Sequence, residues 1–342
     1  MQVKSLSQKN KILIIQTAFI GDVILATSFI RQVHNSYPNA EIHFLLRAGN
    51  QKITEHNPLI QKTIIWNKSE KWKSLFKCIK EVRKENYNLV FNIQRFFNSG
   101  LITALSKAKI KIGFDKNPMS FFFTHKIKHM IPHTTESSYL HEVERNQQLI
   151  SPLVKQELYP TRPELYFTAK EKEKVEAIKK ESNSEGKPYI VMAPSSVWFT
   201  KQLQKKKWME LVKNLIDYQI YCIGGPDDKN YIDEIIQNQH HAINLCGKLS
   251  LTESAYLMQD AHKVMVNDSA PLHLASSVNA KTIAFFCSTV EEFGYGPLSD
   301  DHHIISKKLD CKPCGLHGKK ECPLGHFNCS ERIEINQVMQ LL

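Results

Sequence analysis

The sequence predicts an α/β protein made of two doubly wound domains, each a parallel sheet covered by helices on both faces. Three observations carry this. Apolar runs of strand length alternate with runs of helical length through both halves of the chain. The length of 342 residues suits two such units. The segment SPLVKQELYPTRPEL (151–165) carries three prolines and closes the first of them.

In chain order, KILIIQ (11–16) is a short apolar strand and DVILATSFIRQVHNSY (22–37) has helical length. AEIHFLL (40–46) is strand-like. KWKSLFKCIKEVRKEN (71–86) is amphipathic, with Leu75, Ile79 and Val82 on one stripe, and NLVFNI (88–93) is a buried strand. In the second half PYIVMAP (188–194), YQIYCIGG (218–225), AINL (242–245), KVMVND (263–268) and KTIAFF (281–286) read as strands. KKWMELVKNLID (206–217) and LTESAYLMQDA (251–261) read as helices between them. Near-continuous apolar strands fit a sheet buried on both faces. The domains divide as 1–165 and 166–342. There is no low-complexity segment and no short-period repeat.

Composition is that of a globular protein. No apolar run reaches the ~18 residues of a membrane span, and MQVKSLSQKN lacks the apolar core of a signal peptide. A cytoplasmic protein is expected. The net charge of +11 is uneven. Residues 1–165 hold 24 Lys and Arg against 12 Asp and Glu, whereas the rest is close to neutral. A basic half favours an anionic partner: nucleic acid, an acidic membrane surface or a phosphorylated substrate. A lysine-rich coding bias is the plain alternative. No zinc-finger, RNP or helix-turn-helix signature supports nucleic acid.

In doubly wound sheets, ligands bind beyond the C-terminal ends of the strands, where helices begin. Three such junctions are polar. In TAFIGDV (17–23), Gly21 permits a tight turn and Asp22 falls at or near a helix start. A plain N-cap, worth roughly 1 kcal/mol, is the structural alternative for Asp22. The loop has neither G-x-G-x-x-G nor a P-loop pattern. In APSSVWFTK (193–201), Ser195 and Ser196 can donate to phosphate oxygens and Lys201 can neutralise one. In MVNDSAPLHLASS (265–277), Asp268 ends a strand and Pro271 suits a first helical turn. Ser269 and Ala270 would then offer free N–H groups to an anion, with His273 about a turn further in.

IGDVILATSF after the first strand resembles the N-terminal motif of glycosyltransferase family 9, the ADP-heptose:lipopolysaccharide heptosyltransferases. NDSAPLHLAS resembles its donor-binding motif and SSVWFTK its phosphate-binding loop. CKPCGLHGKKECPLGHFNC (311–329) is similar to the C-terminal end of heptosyltransferase II. The resemblance implies two Rossmann-like domains with an interdomain cleft, the GT-B architecture, with acceptor on the first and nucleotide-sugar on the second. It implies an inverting, metal-independent transfer of heptose from an ADP-sugar to an anionic glycolipid, the inner core precursor of lipopolysaccharide, without a cofactor. By the same resemblance Asp22 is the proposed base and Lys201 meets the donor diphosphate. Asp268, Ser269, Ala270 and His273 match diphosphate and sugar contacts, with Ser195 and Ser196 beside them. Asp227 matches a ribose ligand, and Leu249 falls where the adenine packs. Thr17, Gly21, Arg95 and Lys116 are the acceptor-side candidates. Ala270 stands where several members have Gly, and the proline many members place before the next helix is missing from SSVWFTKQLQKKKW.

Peripheral contact with the cytoplasmic membrane face is a further expectation. SKAKIKIGFDKNPMSFFFTHKIKH (106–129) mixes lysines with Phe121, Phe122 and Phe123, and a core strand with solvated lysines is the alternative. A related transferase with another nucleotide-sugar or surface-glycan acceptor, and a non-catalytic scaffold, are the competing functions. Four of the eight cysteines, Cys78, Cys222, Cys246 and Cys287, read as core thiols. Cys311, Cys314, Cys322 and Cys329 are spaced C-x2-C-x7-C-x6-C. That spacing admits a tetrahedral zinc site, reduced packing thiols or disulfides, and in each case the segment is expected to order a loop.

Overall fold

The computed structural model describes residues 10–131, 139–154, 161–183 and 186–342. Its first sheet has six parallel strands: β1 (Lys11–Ile15), β2 (Glu41–Arg47), β3 (Lys62–Trp66), β4 (Leu89–Asn92), β5 (Ile110–Phe114) and β6 (His125–Ile127), in the order 3-2-1-4-5-6. The second has β7 (Tyr189–Ala193), β8 (Gln219–Cys222), β9 (Ala242–Asn244), β10 (Lys263–Asn267), β11 (Thr282–Phe286) and β12 (His302–Ser306), in the order 12-11-10-7-8-9. The chain divides into two units, Met1–Tyr166 and Phe167–Leu342. Each carries one sheet, and both sheets have the same topology.

Helices α1 (Ile20–Ser36), α2 (Lys71–Lys84), α3 (Phe97–Leu105) and α4 (Glu142–Gln147) belong to the first unit. The second contains α5 (Ala169–Ser182), α6 (Lys205–Asn214), α7 (Lys229–Ile235), α8 (Leu251–Gln259), α9 (Ala270–Ser277), α10 (Asn328–Glu331) and α11 (Ile335–Met339). Strand side chains alternate between the two faces. Leu13, Ile15, Leu45, Ile64 and Val90 pack with Leu75, Ile79 and Val82 of α2 on one face. On the other, Phe91 meets Phe29 of α1 edge to face at 5.1 Å.

The end of the first unit is tied back to α1. Arg31 forks onto Glu164, with Nε to Oε1 at 2.9 Å and Nη2 to Oε2 at 2.8 Å, and Ser28 Oγ donates to the Thr161 carbonyl at 2.6 Å. Such bidentate pairs fix direction as well as proximity. α4 also packs on α1 and brings a buried Arg145–Glu142 pair at 2.8 Å.

Several elements escaped the sequence reading. β3, β6 and β12 lie at sheet edges and present partly exposed, polar residues, so they lack a continuous apolar run. Gly21 is a residue of α1's first turn, not of a tight turn before it, because the helix already starts at Ile20. The three phenylalanines of 121–123 split: Phe121 and Phe122 are exposed, whereas Phe123 is buried beneath Gly113, where a Cβ would stand 2.5 Å from its ring. Residues 1–9, on which the absence of a signal peptide rests, and residues 155–160 of the proline-bearing segment lie outside the described residues. Among the described residues no helix is long and apolar enough to cross a membrane.

Candidate active site

Chain order reverses between β1 and β4 in the first sheet and between β7 and β10 in the second. At such a point the two flanking loops leave in opposite directions and open a crevice at the strands' C-terminal ends. Asp22 and Arg95 follow β1 and β4, while Lys201 and Asp268 follow β7 and β10. Four sequence-predicted residues therefore sit at the switch point of their own unit.

Asp22 is the third residue of α1, and Phe19 is the N-cap. The carboxylate reaches back to the Phe19 N–H, with Oδ2 accepting at 3.2 Å. A plain N-cap is thus corrected to the reciprocal half of a capping box. A carboxylate serving only a helix start would be held low by its N–H donors and the dipole. Burial instead pushes Asp22 up to about 7, helped by the neighbouring charge of Glu142 and opposed by the Phe19 N–H and by Arg95. The residue is partly exposed.

Other first-unit residues fall into place unequally. Thr17 is buried and its hydroxyl donates to Gln94 Oε1 at 2.6 Å, so its side chain holds the β1 turn to β4. Lys116 is exposed on the loop after β5, and Arg95 is partly exposed. A recess of about 250 Å³ beside α2 is lined by Trp66, Lys68, Lys71, Trp72, Leu75 and Asn98. Lys68 Nζ donates to the Thr17 carbonyl at 2.6 Å, joining that recess to the β1 turn. Burial and the charge of Arg47 lower its ammonium below the usual value.

In the second unit Lys201 Nζ lies 2.7 Å from Asp268 Oδ2, which also accepts from Thr289 Oγ1 at 2.5 Å. Asn267, fully buried at the end of β10, holds the loop between β7 and α6 by accepting from the Leu203 N–H at 2.9 Å and donating to the Pro194 carbonyl at 2.7 Å. Ser269 caps α9, and Pro271 sits in its first turn as the sequence indicates. His273 is buried, its Nδ1 has no partner, and burial pushes its imidazole down to about 4. It is neutral near pH 7 and can offer one N–H, not a positive charge. Ser195 and Ser196 are partly exposed on the loop after β7. Asp227 lies exposed in the turn after β8, and Leu249 is partly exposed after β9.

All eight cysteines are free thiols, and Cys78, Cys222, Cys246 and Cys287 are buried as expected. Among the described residues no group of three or more His, Cys, Asp or Glu is placed to hold a metal, so the thiols of the C-terminal segment do not form the tetrahedral set their spacing admits.

The sequence profile of glycosyltransferase family 9 (heptosyltransferase) matches residues 75–326. The chain belongs to that family. It is a glycosyltransferase, and its two parallel-sheet α/β units are those of the GT-B fold. Lipopolysaccharide heptosyltransferase 3 of Escherichia coli is 28% identical over 283 residues, 79% of this chain and 82% of that protein. The structure of E. coli ADP-heptose lps heptosyltransferase II matches with a TM-score of 0.72 at 21% identity, covering 89% of this chain and 95% of the other. A glycosyl transferase family 9 structure from Veillonella parvula DSM 2008 reaches 0.81 at 18% identity, covering 97% and 95%.

The family profile takes in Lys201 and Asp268 but begins after Asp22, so the Asp22 environment rests on geometry. Sequence reasoning missed Glu142, Lys68, Thr200 and Thr289. None stands in a motif of its own, and each reaches its site through a contact between distant segments.

The shifted Asp22 carboxyl has a consequence for stability. Its ordinary value is 3.8 and its folded value about 7, so between these the native state holds the extra proton. Stability then falls as pH rises through that window. Asp22→Asn should melt several degrees above the unmodified protein at about pH 8 and no higher at about pH 4. Thermal melts across pH check this, and equal shifts at both ends would remove the raised carboxyl.

Proposed function

We propose that this family 9 enzyme transfers heptose from ADP-heptose to the inner core of lipopolysaccharide, with inversion and without a metal. The observation that carries the mechanism is Asp22: a carboxyl at a switch point whose proton affinity is pushed up to about 7. A general base works best when its pKa lies near the operating pH. The sugar and acceptor are read from the relatives, whose names specify heptosyl transfer to lipopolysaccharide.

In this reading an acceptor hydroxyl gives its proton to Asp22 as its oxygen attacks the anomeric carbon from the face opposite the leaving ADP. The C–O bond to the diphosphate breaks and negative charge develops on the departing oxygen. Lys201 and the N-terminus of α9 meet that charge. They supply what a metal held by a D-x-D motif would supply, and the sequence has no D-x-D. Asp268 faces Lys201 and would repel a diphosphate, so it acts on the donor through the lysine or through sugar hydroxyls. Ser195, Ser196 and His273 add hydrogen bonds to the donor, and Asp227 and Leu249 hold the nucleoside. Arg95, Lys116 and the Lys68 recess serve the anionic acceptor.

Mass spectrometry of the acceptor glycolipid before and after incubation with ADP-heptose tests this directly. One added heptose is expected, insensitive to chelator. Asp22→Asn should lower turnover by about 10²-fold or more while ADP binding stays within about twofold. Transfer only from a different nucleotide-sugar in a donor panel would select the alternative, a family 9 enzyme of other specificity.

A lipid-linked acceptor also calls for contact with the cytoplasmic membrane face. The outer face of α2 exposes Trp72 and Phe76 among Lys71, Lys73, Lys77 and Lys80, and Phe97 meets Trp72 edge to face at 6.4 Å. Exposed aromatics ringed by lysines suit an anionic bilayer surface better than water. The full chain should bind vesicles containing anionic lipid and release them with salt. Trp72→Ser with Phe76→Ser should weaken that binding several-fold. Sedimentation at two ionic strengths reads both effects, and equal binding to neutral vesicles would sink the idea.

A further inference from the structure

We infer that the cysteine-rich segment after β12 is a strap that positions Lys201, acting through the buried Thr200. This rests on the reading of Lys201 as the donor's diphosphate contact. Thr200 is 1% exposed and makes a two-way backbone and side-chain bridge to the strap. Its N–H donates to the Lys319 carbonyl at 3.1 Å, and its Oγ1 accepts from the Lys319 N–H at 2.8 Å. Ser288 Oγ donates to the same hydroxyl at 3.0 Å.

The strap also lies along the lysine itself. Gly318 has φ +74°, and a Cβ there would stand 3.0 Å from Lys201 Cγ and 3.1 Å from Thr200 Oγ1. The absent side chain lets the strap's backbone lie close to the lysine stem. On either side of the lysine the loop is clamped again: Phe199 stacks on Phe327 at 5.0 Å between centroids, and the Gln204 N–H donates to Ser330 Oγ at 2.8 Å. The strap in turn is moored to the end of β11. The Cys314 N–H donates to the Ser288 carbonyl at 2.9 Å, and Lys312 Nζ to the Phe286 carbonyl at 2.6 Å.

Both ends of the Lys201–Asp268 pair are therefore reached. Thr200 adjoins the lysine, and Ser288 adjoins Thr289, which donates to Asp268. A free lysine side chain loses much of its rotamer entropy when ordered. Ordering it before the donor arrives moves that cost out of the binding step. The thiols hold the strap in place: Cys329 is buried in the second unit's core, Cys322 packs against that core, and its sulfur accepts from the Phe327 N–H at 3.4 Å.

A double-mutant cycle tests the inference on the full chain, with ADP binding read by calorimetry and donor KM and kcat by steady-state transfer. Thr200→Val should weaken ADP binding and raise donor KM by about three- to tenfold, with a smaller change in kcat. Thr200→Ser should restore both. In a Lys201→Ala background Thr200→Val should change ADP binding by less than about twofold, because the group it positions is gone. Equal losses in both backgrounds, or none in the presence of Lys201, would overturn the positioning role. If Thr200→Val does not fold, Gly318→Ala replaces it: at φ +74° its methyl strains the strap where it lies against Thr200 and the lysine stem, and its effect on ADP binding should likewise shrink in the Lys201→Ala background. Should Lys201→Ala alone leave ADP affinity unchanged, the donor reading fails and the strap's role falls with it. A loss in Lys201→Ala without one in Thr200→Val or Gly318→Ala removes only the strap's role.

Discussion

The reversal of strand order at the centre of each sheet is the constraint on which the site depends. A parallel sheet wound in one direction would cover every strand end with the next crossover. Winding β1 to β3 one way and β4 to β6 the other leaves the ends of β1 and β4 uncovered, and β7 and β10 repeat the device. Chemistry can collect there because the strands themselves are apolar and rigid. Ile12 to Ile15 and Val264 to Val266 are fully buried, so the loops they launch leave from fixed points. Asn267 reinforces this in the second unit by bonding, from the end of β10, two points of the loop between β7 and α6.

The same carboxylate type is given opposite tasks by its surroundings. Asp268 is buried, yet it has a lysine at 2.7 Å and a hydroxyl at 2.5 Å, so its charge is matched. Asp22 keeps partial access to water, but its nearest strong influences are desolvation and the negative Glu142, with Arg95 a weaker counterweight. One group is paired with a cation. The other has its proton affinity raised toward neutral pH, which suits the base proposed for it. Arg145 partners the buried Glu142, with Nε and Nη2 both donating to its Oε2 at 3.0 and 2.8 Å, so that carboxylate is not left unpaired.

Much of this was legible in the sequence for a definite reason. Interior strands buried on both faces write themselves as unbroken apolar runs, and the polar residues that end those runs are the switch-point residues: Asp22, Lys201 and Asp268 were all visible as such. Edge strands left weaker traces; HHIIS of β12 carries its exposure as polar residues and shows no strand pattern. Glu142 was illegible because its effect on Asp22 comes from the packing of α4 on α1, far apart in the chain. Thr200 was illegible because a threonine beside a lysine has no pattern until residue 319 arrives next to it.

That last contact gives the cysteine-rich tail a task besides packing the second unit's core, to which it contributes Phe327 and Cys329. The sheet ends with β12, and its strand ends hold the long loop between β7 and α6 through Asn267 and Asp268. That loop carries exposed Val197 and Phe199 and holds only a single turn of 3-10 helix, at Phe199–Lys201. A lysine on so weakly structured a segment would face a diphosphate with most of its freedom intact. Threading residues 311–330 back across the loop supplies further partners from outside the sheet. Gly315, Gly318 and Gly325 at positive φ let the strap make the necessary bends. Apolar thiols then anchor it without adding buried charge: Cys329 is pushed up to about 11 by its surroundings and stays protonated. The tail is thus the second unit's answer to a problem its sheet creates, a charged group that must be exact in position on a loop that holds little regular structure.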